Sequence, residues 1–288
     1  MNAYNKGSLA VQERVGVREL AAHVGRSITP GIRPVAAAFL EHQPMLVLGA
    51  ADAEGHVWST LLTGAPGFVR ATGPHTISVA TTIPVVDGAP VGTIALDPRT
   101  RRRMRLNGIA RPSARGFTVD AEQVFSNCPK YLQKRELYAP DLATPAGVAR
   151  RGAALTPDQE RFVRAADTFF LATVAPDGAD ASHRGGNPGF VRVDSPTELS
   201  WRDYPGNAMF LSLGNLESDG RAGLLFLDWS TGTTLQLSGH AHTEYGLEGA
   251  RTTRFRVERT VEIPSASPLR WSRPEYSPAN PSLPQDSA

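Results

Sequence analysis

One pattern occurs twice in the chain. Gly64-Ala65-Pro66-Gly67-Phe68-Val69-Arg70 recurs as Gly186-Asn187-Pro188-Gly189-Phe190-Val191-Arg192, at a spacing of 122 residues. Pro74 and Ser78 match Pro196 and Ser200 in the same register. Upstream, Phe39, Leu48 and Gly55 match Phe162, Leu171 and Gly178 at a spacing of 123. Downstream, Gly92, Leu96, Asp97, Leu106 and Gly108 match Gly223, Leu227, Asp228, Leu237 and Gly239 at a spacing of 131. A fold duplicated in tandem accounts for all three registers. The step from 122 to 131 places nine extra residues in the second copy, between Ser200 and Gly223.

With 288 residues, 41% of them hydrophobic and 20% charged, the chain can bury two ordinary cores. Its formal net charge of +2 argues against a protein that lives on nucleic acid. No apolar run is long enough for a bilayer, and Met1–Gln12 lacks a signal-peptide core. A lone cysteine, Cys128, excludes an intramolecular disulfide and a multi-cysteine metal site. These features point to a cytoplasmic protein with no membrane partner.

Short apolar segments separated by Gly and Pro predict antiparallel strands in each copy. In the first they are Met45–Ala51, Thr76–Thr81, Val91–Leu96, Met104–Ala110 and Phe117–Phe125. In the second they are Thr168–Val174, Leu199–Trp201, Ala222–Asp228, Thr233–Ala241 and Arg254–Ile263. Thr156-Pro157-Asp158-Gln159 reads as a capping box with proline at the first helical position. The expected organisation is a helical lead-in over 1–34, with one helix around Val11–Val24 weakened by Gly16. A first barrel over 35–138, a linker over 139–155, a second barrel over 156–271 and a disordered tail over 272–288 follow. The fold class is mostly β, a β-barrel with short helices built twice.

The nine-residue excess is the main difference between the copies. Where the first has a proline-bounded loop, Ile83–Pro90, the second runs from Arg202 to Glu217. Phe210, Leu213 and Leu216 fall at helical spacing after Asn207, a good N-cap. A short helix is expected there, its free amides and dipole favouring a phosphate. On the preceding strand, Ser182-His183-Arg184-Gly185-Gly186 replaces Ser59-Thr60-Leu61-Leu62-Thr63 of the first copy. A cation and two glycines thus stand where the first copy is apolar. Arginine grips phosphate through two donors, and glycine lets backbone approach a flat ring.

These residues resemble a known family. Ser-x-Arg-Gly-Gly-x-Pro-Gly-Phe-Val-Arg from Ser182, Tyr-x-Gly-Asn-x-x-Phe-x-Ser-Leu-Gly-Asn-Leu from Tyr204, and Arg-Ala-Gly-Leu-Leu-Phe from Arg221 are similar to the pyridoxamine 5′-phosphate oxidase-like, FMN-binding split-barrel flavoproteins. Asn127–Tyr131 and Pro268–Trp271 match a branch of that family with two barrel copies. The resemblance covers about residues 35–271. It departs from the vitamin B6 oxidase itself, whose Arg-x-Val-Leu-Leu-Lys strand and C-terminal Arg-Leu-His signature are missing. It implies two tandem FMN-binding split barrels forming a pseudo-dimer within one chain, with FMN in the groove between them. The implied cofactor-binding residues are Ser182, His183, Arg184, Gly185, Gly186, Tyr204 and Asn207 from the second copy, and Lys130, Arg270 and Trp271 from the segments that follow each barrel. Lys130 or Arg270 would lie near the flavin N1–C2=O edge, with Tyr131 or Trp271 stacking nearby. The first copy, lacking the helix and the arginine, should leave its own site empty.

The implied activity is FMN-dependent oxidoreduction between a small substrate or NAD(P)H and the flavin, with the catalytic residues unassigned and further pairing into a homodimer open. A non-catalytic flavin-binding module, a haem-binding or haem-degrading barrel using His183, His240 or His242, and a deazaflavin-dependent reductase are the alternatives. The run Arg99–Arg105 reads as a strand with Met104 and Leu106 inward and Arg103 and Arg105 facing water. Cys128 reads as a small buried hydrophobe. With no third ligand beside His240 and His242, no metal site is expected.

Overall fold

A computed structural model describes residues 3–126 and 128–282. Two helices, α1 (Lys6–Val15) and α2 (Arg18–Gly25), open the chain where one was expected. Gly16 does more than weaken that helix. It takes the left-handed conformation (φ 72°) and caps α1, its amide reaching back to Gln12 and Glu13. Helix α3 (Pro34–Glu41) follows.

The first sheet contains β1 (Met45–Ala51), β2 (Val57–Thr63), β3 (Val69–Ala71), β4 (Thr76–Ala80), β5 (Pro90–Asp97), β6 (Arg102–Ser113) and β7 (Gly116–Ser126), in spatial order β2-β1-β5-β6-β7-β4-β3. A short strand, β8 (Arg150–Gly152), lies within the segment expected to be linker and pairs antiparallel with Thr260–Glu262 of the second sheet. Helix α4 (Pro157–Ala165) starts with the expected capping box, Thr156 and Gln159 satisfying each other's amides. The second sheet contains β9 (Thr168–Ala175), β10 (Gly178–Gly185), β11 (Val191–Ser195), β12 (Glu198–Arg202), β13 (Arg221–Leu227), β14 (Thr234–Tyr245) and β15 (Arg251–Ile263). Its order, β10-β9-β13-β14-β15-β12-β11, repeats the first strand for strand, and every pairing is antiparallel. Only the second copy inserts a helix, α5 (Leu211–Ser218), ahead of β13.

Each barrel has its own core, around Leu46, Leu48, Ile77 and Phe117 in one and Phe169, Leu171, Trp201 and Phe226 in the other. A third cluster, with Met45, Val47, Ile94, Leu96, Phe170, Ala181 and Leu225, fills the seam between them. Strands β1 and β9 are therefore buried on both faces, which is why they read as unbroken apolar runs. The seam is two-fold in character. A Cβ on Gly92 would fall 2.3 Å from the Ala181 amide nitrogen, and one on the matching Gly223 would fall 2.6 Å from the Val57 carbonyl.

The segment expected to be a disordered tail is held in place as far as Pro281, whose carbonyl accepts from Asn187 Nδ2 (3.3 Å). Glu275 pairs with Lys134 through the main chain, Ser277 is buried with its amide on Gln133 Oε1 (2.8 Å), and Asn280 donates to Asn187 Oδ1 (3.1 Å). Main-chain pairing and one buried glutamine order a stretch too polar to bury itself. Residues 283–288 of that expected tail lie outside the described residues, as does Asn127. No helix among the described residues is long and apolar enough to cross a membrane.

Candidate functional site

One end of the seam opens into a pocket between β10, the loop leading into α5, and β6 of the first barrel. Ser182, His183, Arg184, Gly185, Tyr204, Asn207 and Lys130 all line it. Gly186 lies just outside, its amide on the Asp167 carbonyl and its own carbonyl taken by Gln133. Arg270 and Trp271 are elsewhere, contrary to the expectation that either would reach the cofactor. Arg270 pairs with Asp141 (3.1 Å) and the Ser267 carbonyl, while Trp271 packs edge-on against Trp229 (5.7 Å between ring centroids) in the seam cluster. The likeness of Pro268–Trp271 to Pro129–Tyr131 is one of composition; the two segments follow different paths.

Arg103 and Arg105 correct a second expectation. Both line the pocket instead of facing water. Strand alternation does separate them from Met104 and Leu106, which point into the first barrel. The opposite face, however, meets the second barrel and not solvent. Arg105 is buried and ion-paired with buried Asp180 of β10. Arg103 donates to His183 Nδ1 (2.9 Å) and to the Cys128 carbonyl (2.8 Å). Cys128 is exposed at the pocket's edge, not buried as expected. Strand alternation alone carried no signal for this, because the sequence does not say which surface docks on that face.

Helix α5 begins at Leu211, three residues later than a cap at Asn207 requires. Asn207 instead turns the loop, its Oδ1 accepting from the Met209 amide (3.1 Å). Ala208 (φ 60°) and Phe210 (φ 56°) occupy the left-handed region. Two such non-glycine residues within three positions mark a backbone held by its surroundings. Phe210 stands at the N-cap without a side-chain hydrogen bond, so the first turn, Leu211 to Leu213, lines the pocket uncapped. Ser212 in that turn donates to Asp180 Oδ2 (2.6 Å) and lies 2.9 Å from Ser182 Oγ. Arg184 donates to the same Ser182 Oγ (3.0 Å) and to the His183 carbonyl (3.2 Å). Its Nε faces Asp203 at 3.4 Å, a carboxylate already paired with Arg251 (3.1 Å).

The electrostatics of the pocket favour an anion. No carboxylate offsets Arg103 among the described residues, and its Nε is buried without a partner. Burial and the like charges of Arg105 and Arg184 push its guanidinium down to about 9. Desolvation likewise lowers Arg184. His183 is buried, and desolvation with the charges of Arg103, Arg184 and Arg135 holds it well below its ordinary value. Since arginine can only donate, His183 Nδ1 is the acceptor, which places the proton of the neutral ring on Nε2. At the mouth, Tyr131 (φ 63°) donates its hydroxyl to the Pro205 carbonyl (2.9 Å), and its ring lies 5.2 Å from that of Tyr204. Gly185 serves this crossing: a Cβ there would fall 2.0 Å from the Tyr131 carbonyl. Its role is to admit the first barrel's trailing segment, where the sequence suggested a flat ring. Lys130 is exposed at the same mouth.

His240 and His242 stand on the exposed side of β14 beside Glu258 and Glu244, away from the pocket.

The model of the pyridoxamine 5′-phosphate oxidase family matches residues 155–268. Among solved structures, the chain is similar to HupZ of Group A Streptococcus (15% identity, 36% of this chain and 90% of that one, TM-score 0.29). It is also similar to a protein of the pyridoxinephosphate oxidase family related to general stress protein 26, from Clostridium acetobutylicum (11% identity, 40% and 92%, TM-score 0.30). A third is an FAD-binding protein from Mesorhizobium loti (12% identity, 42% and 99%, TM-score 0.30). Comparison with curated proteins finds no match. The matched residues, 155–268, span the second barrel from just before α4 to past β15.

Proposed function

We propose that the pocket binds FMN and that the protein is an FMN-dependent oxidoreductase acting on a small substrate or on NAD(P)H. The observation that carries this reading is a guanidinium without a counter-charge, Arg103, held beside Arg184 and an uncapped helix start. Three features that each favour an anion meet in one place, and they come from both barrels. The flavin phosphate fits that end: Arg184 and Arg103 would neutralise it, and the amides of Leu211–Leu213 would donate to it. Asp180 supports the arrangement from behind by holding Ser212 and Arg105. Tyr131 and Tyr204 offer apolar faces to a ring, and Lys130 is an exposed cation available to the ring's carbonyl edge.

Bound there, the flavin would supply two-electron chemistry between donor and acceptor. The chain's own contribution is binding and electrostatics. His183 stays neutral under the surrounding positive charge, so it adds no further cation, and the Asp203–Arg251 pair fixes one side of Arg184. The matching position in the first barrel has Thr60 and Leu61 opposite Gln236. It lacks the cations, which supports a single flavin per chain.

The visible spectrum of the purified protein tests the reading. A yellow protein that releases about one FMN per chain is expected, together with anaerobic bleaching by NADH or NADPH. A yellow protein that neither nicotinamide bleaches would remove NAD(P)H as the donor and leave the small substrate. A colourless protein that rejects added FMN overturns the proposal.

A further inference from the structure

The pocket wall at Cys128, Lys130 and Tyr131 belongs to the segment that trails the first barrel, and the segment that follows the second barrel holds it from behind. Lys134–Leu137 pairs with Trp271–Glu275 through the main chain. The Lys134 and Glu275 amides each donate to the other's carbonyl (2.9 Å), and the Ser272 amide donates to the Glu136 carbonyl (2.9 Å). Arg101 spans the pair, with Nε on the Leu132 carbonyl (3.1 Å) and Nη2 on the Glu275 carbonyl (3.1 Å).

Gln133, 1% exposed, stands where these two segments meet the end of β10. On the pocket side its Nε2 donates to the carbonyls of Tyr131 (3.0 Å) and Gly186 (3.2 Å). On the other side its Oε1 accepts from the Ser277 amide (2.8 Å) and from Asn280 Nδ2 (3.1 Å). A flipped amide would set oxygen against carbonyls and N–H against N–H, so both neighbours fix its orientation together. Asn187, directly after Gly186, is a second clasp: it accepts from Asn280 and donates to the Pro281 carbonyl. Apolar burial adds little here. Beyond Trp271, only Ser277 is buried among residues 272–282. A segment held by hydrogen bonds with so little apolar area opens at low cost, without unfolding either barrel.

We propose that residues 275–281 are a strap which, through Gln133 as a positioning residue, holds the Cys128–Tyr131 wall closed and sets how fast a bound molecule enters and leaves the pocket. Tyr131 is the part that moves. Its hydroxyl reaches across the mouth to the Pro205 carbonyl, and its φ of 63° is a conformation that its surroundings must hold. With the strap in place the residue is tied at both ends, its carbonyl by Gln133 and its hydroxyl by Pro205. With the strap open, Gln133 loses both donors to its oxygen and no longer has a fixed orientation from which to hold that carbonyl. That the molecule is FMN rests on the flavin reading; the coupling of strap to wall stands without it.

Two substitutions on the strap side of the full chain test the coupling: Asn280→Ala removes a clasp, and Ser277→Pro removes the amide that donates to Gln133. Hydrogen exchange followed by mass spectrometry should quicken by about tenfold over residues 130–133 while the α5 amides keep their rate. In the same variants, FMN uptake and release read by stopped-flow flavin fluorescence should both quicken by about tenfold, with affinity changed far less. A strap that opens in free and loaded protein alike alters the path and not the end states. Exchange at 130–133 that is unchanged in both variants, or that rises equally across both barrels, would overturn the proposal. So would a loosened wall with both FMN rates unchanged, or faster release without faster uptake, the mark of a damaged pocket. A full chain that takes up no FMN overturns the flavin reading instead, and exchange at 130–133 still decides whether strap and wall are coupled.

Discussion

Arg184 and Arg103 reach one pocket from different barrels, so their removal should be felt in the same measurement. Replacing a charged donor to a phosphate generally costs a factor of about 10–100 in affinity. Arg184→Met and Arg103→Met are each expected to weaken FMN binding by that order, read as flavin fluorescence quenching. Equal affinity in either variant would remove that residue from the site. Lys130→Met should change flavin reduction more than FMN affinity, because Lys130 is exposed at the mouth and not at the phosphate end. His183 gives a pH signature. Its folded-state pKa lies well below 6.5, so as pH falls through 6.5 the unfolded chain takes up a proton that the folded ring refuses. Stability from this group is complete above 6.5 and is lost below it, with a slope approaching about 1.4 kcal/mol per pH unit. Denaturant titrations at pH 7.5, 6 and 5 should show that loss, and His183→Gln should flatten it.

At the level of elements, α5 is the piece on which the pocket depends, and α1 is what keeps it there. The two helices cross so closely that a Cβ on Gly214 would fall 2.3 Å from the Ser8 amide. Asn5 and Gln12 of the lead-in also hold α5 and the loop before it, through Asn215 and the Met209 carbonyl. The lead-in is therefore part of the site's scaffold. Gly214→Ala should force α1 away, destabilise the protein by about 1–3 kcal/mol, and lower its melting temperature by about 2–4 °C for each of them. FMN affinity should fall with it, because the uncapped first turn of α5 would shift. A variant that melts early and keeps full FMN affinity would show that α5 stays in place without α1.

On the scale of the whole molecule, the seam packs two barrels into one unit. Gly92 and Gly223 permit the sheets to touch backbone to backbone, and the seam cluster fills the remaining space. Gly92→Val should part the sheets near Asp180 and separate Arg103 and Arg105 from Arg184. The expected outcome is loss of FMN together with faster proteolysis in the exposed 139–149 segment, whose Leu142 is 83% and Val148 87% exposed. Retention of FMN in that variant would mean that the second barrel binds it alone.

The sequence by itself determined that a mostly β unit is used twice, where its strands run, and where the copies differ. Periodic residues such as Leu46, Leu48 and Leu106 face a core whatever lies beyond it, and Thr156 with Gln159 caps a helix through neighbours three positions apart. It also marked Ser182–Gly185, Tyr204 and Asn207, because those positions break the likeness between the copies. The tertiary structure decided what lies across the seam. Arg103 and Arg105 alternate as any outward strand residues do, and only the docking of β10 makes that outer face an interior one. The start of α5 depends on strained backbone at Ala208 and Phe210, which Arg251 and the lead-in hold in place and local propensity does not anticipate. Arg270 and Trp271 carry the right chemistry at the wrong end of the seam, a matter of chain path. Local pattern sets which face of an element is apolar, whereas the identity of the surface that meets it depends on contacts between residues more than a hundred positions apart.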